Sequence, residues 1–399
     1  MPAPCSTHPN SSSPRHHHRV PGGAGVSRRH GLAALAATAL GMALTPTAFA
    51  QKKELHIGQS APLTGVMAPA MTGVLAGQQL AIDEVNRRGG IGGRPLRLTV
   101  LDDGFDAKRT LDNVRTLVEQ QEVLALMGTV GTAQTAAVLP YIAEKHIPLI
   151  SAYSGSPALR AQANPYFFTT QASYADELVK MVRNLMSVQA TRIAVVYQNN
   201  DFGKLLLPLS EKTILAEGGS VAATRALDVT GNDAASVAQS LASARPQAVI
   251  MIASGPAVVT YVKANRAHLG VPVYTFSLSV GASVLKALGE DARGLAVSRT
   301  TPYPWRATTP LARDFKQLMD KAGKELDYDH YVGYINGRIL IEGLRSAGKK
   351  PTPESLALAM ESLGKLDLGG YSLNYGPQNH HGSSFVEITI VGPNASFMR

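Results

Sequence analysis

From residue 55 onward, short apolar runs rich in β-branched residues alternate with stretches of helical periodicity. No other feature constrains the fold as strongly. LHIGQSA (55–61), PLRLTVLDD (95–103), VLALMG (123–128) and IPLIS (147–151) read as strands. The segments 74–87, 107–121 and 133–145 between them read as helices. The first carries Leu75, Leu80, Ala81, Ile82 and Val85 on one face and stops at the glycine cluster 89–93. A second series follows residue 170, with strands RIAVVYQ (192–198), VAATRALD (221–228), AVIMIAS (248–254) and VYTFS (273–277). Helices at 174–186, 205–217, 234–244 and 257–268 separate them. Near-continuously apolar strands spaced by helices of this length require parallel sheets covered on both faces. Two such series predict an α/β chain of two doubly wound parallel-sheet lobes, in keeping with a length of 399 residues. The tail adds helices at 310–323, 332–347 and 353–363 and a strand, FVEITIV (385–391). The lobes are expected to comprise 51–170 plus 303–366 and 171–302 plus 367–399, joined by a multi-strand hinge.

The first fifty residues obey different rules. They hold four arginines (Arg15, Arg19, Arg28, Arg29) and no acidic residue, then an apolar run at 31–44, Pro46 and the triplet Ala48-Phe49-Ala50. A basic stretch, a short apolar core and an A-x-A end are the parts of a secretory signal peptide, with cleavage expected after Ala50. The run is shorter than the roughly 20 residues that span a bilayer as a helix. Ser27-Arg28-Arg29 resembles a twin-arginine signal, but His30-Gly31-Leu32 follows where bulkier apolar residues belong, so the Sec route is favoured. Residues 1–26, rich in Ser, Pro and His, read as a disordered extension. The sole cysteine, Cys5, falls inside this presequence, so the mature chain is expected to have no disulfide, thiolate chemistry or lipid anchor. Four of the 38 basic and none of the 29 acidic residues lie in 1–50, leaving a net charge of +5. These charges are scattered singly, without a basic stripe interleaved with aromatics, so a nucleic-acid partner is not expected. A periplasmic location is.

Ligands of open α/β sheets bind at the carboxyl ends of strands, beside helix N-termini. Two turns of the first lobe carry the strongest local chemistry. One is Thr129-Val130-Gly131-Thr132-Ala133-Gln134-Thr135, with Thr132 placed to cap the next helix. The other is Ala152-Tyr153-Ser154-Gly155-Ser156-Pro157, where Ser156 caps and Pro157 opens a helix. Each exposes amide groups, a positive dipole end and a hydroxyl, an anion site needing no Lys or Arg. Either turn alone also reads as an ordinary helix cap, and the adjacency of the two brings both readings level.

Ordered blocks over some 340 residues then give a family resemblance: HIGQSAPLTG (56–65), AIDEVNRRGGIGGRPLRL (81–98), DDGFD (102–106), GTVGT (128–132), IPLISAYSGSPALR (147–160), VVYQNNDFGK (195–204) and HYVGYINGRILIEGLRSAG (330–348). Together these resemble the leucine/isoleucine/valine-binding-protein family of periplasmic receptors, with the type I periplasmic-binding-protein fold. The resemblance implies a substrate-binding protein of an ABC importer, not an enzyme, with no cofactor or metal. The implied partners are a small organic anion or amino acid and a permease of the inner membrane, and a monomer is expected. A ligand-sensing subunit feeding a receptor kinase is the alternative. In the family, the turns matching Thr132, Ser154 and Ser156 hold the ligand carboxylate, and aromatics at the positions of Phe105 and Phe202 wall the pocket. Ser254 and Leu278 fall where the second lobe approaches the ligand. Amino-acid receptors of the family place a glutamate at the position of Leu278 to pair the α-ammonium. Burying that ammonium unpaired costs several kcal/mol, so a carboxylate with an apolar or aromatic body fits better, with Asp201 as the one candidate replacement charge.

Other motifs dissolve. The Walker-like spacing at 343–350 ends in lysine where Ser or Thr must hold magnesium, and it closes a helix. Gly90 and Gly92 precede a strand, the reverse of a dinucleotide turn. His380-His381 reads as a surface loop without a third metal ligand. Trp305 reads as hinge packing in preference to a pocket edge. No G-x-S-x-G or H-E-x-x-H occurs, and no motif links His56, His146, His268 or His330 to a serine.

Overall fold

The computed structural model describes residues 54–65 and 67–399, so the expected export segment and its cleavage site lie outside the described residues. These described residues form one compact unit. The first lobe is built on a five-stranded, all-parallel sheet of β1 (Leu55–Ala61), β2 (Leu96–Asp102), β3 (Ala125–Met127), β4 (Leu149–Ile150) and β5 (Phe167–Phe168). Their order is β2-β1-β3-β4-β5. One face is covered by α1 (Ala68–Arg87), α10 (Pro310–Lys321), α11 (Tyr328–Ser346) and α12 (Pro353–Ser362). The other carries α2 (Ala107–Arg115), running on into a π-helical turn at Thr116–Gln120, and α3 (Thr132–Lys145). Helix α4 (Pro157–Arg160) is a single turn.

The second lobe repeats the plan. Strands β6 (Arg192–Gln198), β7 (Ser220–Leu227), β8 (Ala248–Ile252), β9 (Val273–Thr275) and β10 (Ala296–Arg299) run parallel in the order β7-β6-β8-β9-β10. This is the first lobe's order again. A single sheet edge departs from the expected parallel pattern: β13 (Glu387–Val391) and β14 (Phe397–Met398) add on antiparallel beside β10. Helices α5 (Tyr174–Ser187) and α6 (Asp201–Ala216) cover one face. Helices α7 (Ala234–Leu241), α8 (Pro256–His268) and α9 (Ala282–Leu288) cover the other.

The chain passes between lobes three times: between Phe168 and Tyr174, between Val297 and Leu311, and between Phe385 and Ile388. The last crossing corrects the expected boundary at 366/367. A short hairpin, β11 (Lys365–Asp367) and β12 (Ser372–Asn374), stays on the first lobe, where Leu368, Tyr371, Leu373 and Tyr375 fill its core. The His380 carbonyl accepts from Thr169 N at 2.9 Å, extending the first sheet. His380 and His381 are not a surface loop: His380 stacks on Phe168 and bonds Glu361 at 3.0 Å, while His381 bonds Thr169 Oγ1. Trp305 packs at the interlobe crossing against Tyr303, Tyr328 and Phe397 on the second lobe.

Helices α1 and α11 make the tightest contact of the first lobe. A Cβ on Gly77 would overlap the His330 carbonyl, and one on Gly333 would overlap the Val74 carbonyl. The glycines let the two backbones touch, and a methyl group at either site forces them apart. Overpacking of this kind costs about 1–3 kcal/mol. Gly333→Ala is therefore expected to lower the urea unfolding midpoint by that equivalent, and an unchanged midpoint would show that the pair is loosely packed.

Candidate functional site: the interlobe cleft

A sheet in this strand order reverses direction between β1 and β3, and the connections leaving those two strands part to opposite faces. The same reversal lies between β6 and β8. Both gaps open on one cleft of about 400 Å³. Met67 follows β1, and the turn 130–134 follows β3; Asn200, Asp201 and Phe202 follow β6, and Ser254 follows β8.

On the first-lobe wall, the turns after β3 and β4 are zipped together by backbone bonds. Tyr153 N donates to the Thr129 carbonyl at 2.7 Å and Gly131 N to the Tyr153 carbonyl at 3.2 Å. This clamp brings Thr132 Oγ1 and Ser154 Oγ into a shared hydrogen bond of 2.9 Å. The N-cap of α3 is Gly131, with φ of 99°, so Thr132 is its first helical residue and not its cap. The threonine hydroxyl is left for the cleft and for Ser154. The amides of the first helical turn lack intrahelical acceptors, so this end of α3 presents N–H groups and a positive dipole end to the cleft. Ser156 does occupy the N-cap of α4, but its Oγ caps nothing and is buried without a partner. Phe105 sits in the left-handed region, with φ of 64°. Its amide donates to Asp103 Oδ1 at 2.9 Å and its carbonyl accepts from Gln134 Nε2 at 2.7 Å. These two bonds fix an unfavourable backbone conformation and aim the ring at the cleft.

On the opposite wall, Asn200 caps α6 through Gly203 N, which sets Phe202 in the first turn. The Phe202 ring packs edge-on against Tyr174, centroids 5.5 Å apart. Ser254 is tied to Gln198 through its amide at 3.2 Å. Leu278 rides on a 3-10 turn, Ser277–Ser279, held from behind. Buried Glu177 accepts from Ser277 N at 2.8 Å and Ser298 Oγ at 2.6 Å, and Ser279 Oγ donates to the Ala253 carbonyl at 2.6 Å. Arg299 Nη1 donates to the Ser277 carbonyl, its guanidinium lying 4.2 Å from the Tyr328 ring centre and 4.3 Å from that of Phe397.

Of the seven residues singled out from sequence, Thr132, Phe105, Phe202, Ser254 and Leu278 line the cleft. Ser154 lies one layer behind, bonded to Thr132, and Ser156 lies deeper still, with its amide 3.4 Å from Ser154 Oγ. Sequence reasoning missed Tyr153, Tyr174, Gln134 and Met67, which also line it. Tyr153 sits inside a loop already under suspicion, whereas Tyr174 reads as ordinary core at the start of a helix. Among the described residues that line the cleft, Asp201 alone carries a charge. His56, His146, His268 and His330 each engage groups other than Ser154 and Ser156: Thr99, Tyr166, Gln239 and Asp327 respectively. No group of three or more potential metal ligands occurs among the described residues, and no helix there is long and apolar enough to cross a membrane.

The sequence profile of periplasmic binding proteins matches residues 54–391. The chain belongs to the periplasmic binding protein family. Among relatives of this periplasmic binding protein, the Leu/Ile/Val-binding protein homolog 8 of Brucella suis biovar 1 is 23% identical, covering 87% of this chain and 91% of the relative. A substrate-binding periplasmic protein from Ralstonia solanacearum superimposes with a TM-score of 0.79 at 28% identity, over 86% of this chain and 99% of that one. A possible leucine/isoleucine/valine-binding protein from Rhodopirellula baltica SH 1 gives a TM-score of 0.79 at 27% identity, over 88% and 97%. The fold and family implied by the sequence blocks are thus upheld.

Burial out of water pushes the Glu177 carboxyl up from 4.5 to about 7, against the opposing effect of its hydrogen bonds from Ser298 and Ser277. A folded-state pKa above the unfolded value means that the folded state binds the extra proton. The stabilisation this gives is full below about pH 4.5 and is lost as pH rises to about 7. Glu177→Gln removes the titration, so the melting temperature of the variant relative to the parent should climb between pH 4.5 and 7 and level off above. A difference that is flat across that window would exclude a raised Glu177.

Proposed function

We propose that this protein is the periplasmic substrate-binding component of an ABC importer and that it takes a solute with one carboxylate and an apolar or aromatic body. Export on the segment 1–50 delivers residues 51–399 to that compartment. One observation carries the ligand class. The first-turn amides of α3 and the Thr132–Ser154 hydroxyl pair share the cleft with the apolar side chains Phe105, Phe202 and Leu278, with no basic side chain and Asp201 the one acidic side chain among the described lining residues. A negative headgroup is accommodated by oriented dipoles at such a helix end without a counter-charge, while an α-ammonium beside Leu278 meets no carboxylate. Ser156, whose buried hydroxyl is free, supports the same turn. Closure of the second lobe then lays Phe202, Ser254 and Leu278 over the body of the ligand, and binding shifts the hinge toward the closed form that a permease recognises.

The relatives named for leucine, isoleucine and valine supply the competing ligand class, and asp-for-glutamate replacement by Asp201 is the route by which this chain would accept one. Calorimetry on residues 51–399 separates the two. Thr132→Val is expected to weaken a monocarboxylate tenfold or more, since a hydrogen bond to a charged group is worth about 1.5–3 kcal/mol. Leu278→Glu should weaken the same acid further while admitting leucine or valine. Tight binding of leucine by the unaltered protein, or Thr132→Val without effect on the acid, overturns the assignment.

A further inference from the structure

A second hollow of about 320 Å³ lies between the lobes beyond the cleft. Its first-lobe wall is the start of α1, with Met67 and Ala70; its second-lobe wall is formed by Val259 of α8 and by Val284 and Ala287 of α9. Among the described lining residues the two hollows share Met67 and Leu278, which places these two side chains at the border between them. No charged side chain is among the described residues that line the second hollow. Two of its three hydroxyl side chains are engaged with backbone, Thr260 donating to the Ala257 carbonyl at 3.1 Å and Ser279 to the Ala253 carbonyl at 2.6 Å; the third is Ser283. A Cβ built on Gly255, another lining residue, would meet nothing within 4 Å, so the space is open at that point. Methionine is unbranched and adapts its shape readily, which suits Met67 to a partition that yields to a passing chain.

We infer that the second hollow is a subsite for the far end of the ligand, and that the solute is an elongated monocarboxylate whose hydrocarbon or aromatic tail passes between Met67 and Leu278. This rests on the carboxylate reading of the cleft. The shared border with the cleft at Met67 and Leu278, contributions from both lobes and a lining without charge commit the subsite to an apolar tail of the same molecule. The subsite also makes Leu278 a determinant of specificity on both sides of the partition, because its side chain touches the body of the ligand in the cleft and the tail beyond it.

The test is a chain-length series of straight alkanoates from butanoate to decanoate, titrated calorimetrically into residues 51–399. Each buried methylene is expected to strengthen binding about fourfold, continuing past the length that fills the cleft. Ala287→Phe, an exposed position on α9, fills the second hollow. It should weaken decanoate at least tenfold while leaving butanoate unchanged, with circular dichroism confirming the fold. An affinity that stops rising at the shortest acids, or an Ala287→Phe variant that binds decanoate like the parent or loses butanoate and decanoate equally, overturns the subsite. The matching alkanols separate this from failure of the headgroup reading. If octanol binds as tightly as octanoate, the carboxylate assignment fails while the dependence on tail length still stands.

Discussion

Reversal of strand order in a parallel sheet leaves a gap that no connection covers, and this protein holds two such gaps facing each other. In each lobe the strand order 2-1-3-4-5 parts the chain at the carboxyl edge, once between β1 and β3 and once between β6 and β8. The lining of the cleft follows from that constraint. Met67 and Thr132 leave one reversal, and Phe202 and Ser254 leave the other. Side chains far apart in sequence meet because the sheets can be crossed in no other way, and the rest of the architecture covers the faces of those sheets.

Within this frame, the chemistry of the cleft is set by backbone more than by side-chain charge. The bonds between Thr129 and Tyr153 and between Gly131 and Tyr153 lock two turns into one surface. A helix end and a pair of hydroxyls give that surface a positive dipole end without any basic side chain among the described lining residues. The second wall is stiffened from behind by a buried carboxylate. Glu177 holds Ser277 and Ser298, and so fixes the turn that carries Leu278 without itself touching the cleft.

Strands of five to eight residues were legible from their apolar runs, as β1, β6 and β8 show. The shorter β3, β4 and β9 were legible too, inside longer apolar runs, whereas β5, with two residues, and β10, with four, were not. The start of α1 was likewise placed too late: no side chain caps it, and Gly73, which lies against Asp329 and His330 of α11, interrupts the apolar periodicity. The two turns of the site were visible as punctuation between strand and helix, yet the hydroxyl of Thr132 was given a capping role that Gly131 holds. Positive φ at Gly131 moves the cap back by one residue, a shift that composition does not reveal. Tyr174 escaped notice because an aromatic at a helix start carries no mark that distinguishes core from pocket. The extent of the first lobe at the C-terminal end was misjudged for a related reason. The tyrosines 371 and 375 point into a core laid down by residues hundreds of positions earlier.

That non-local assembly has a bearing on how the chain acquires its shape. The glycine face of α1 is completed by α11, and the five parallel strands of the second lobe are synthesised between them. Until α11 emerges, that side of the first sheet lacks the helix on which α1 packs, so the amino-terminal half cannot complete its core ahead of the remainder. The first lobe therefore completes its packing late in synthesis, an order of events compatible with passage across a membrane before folding.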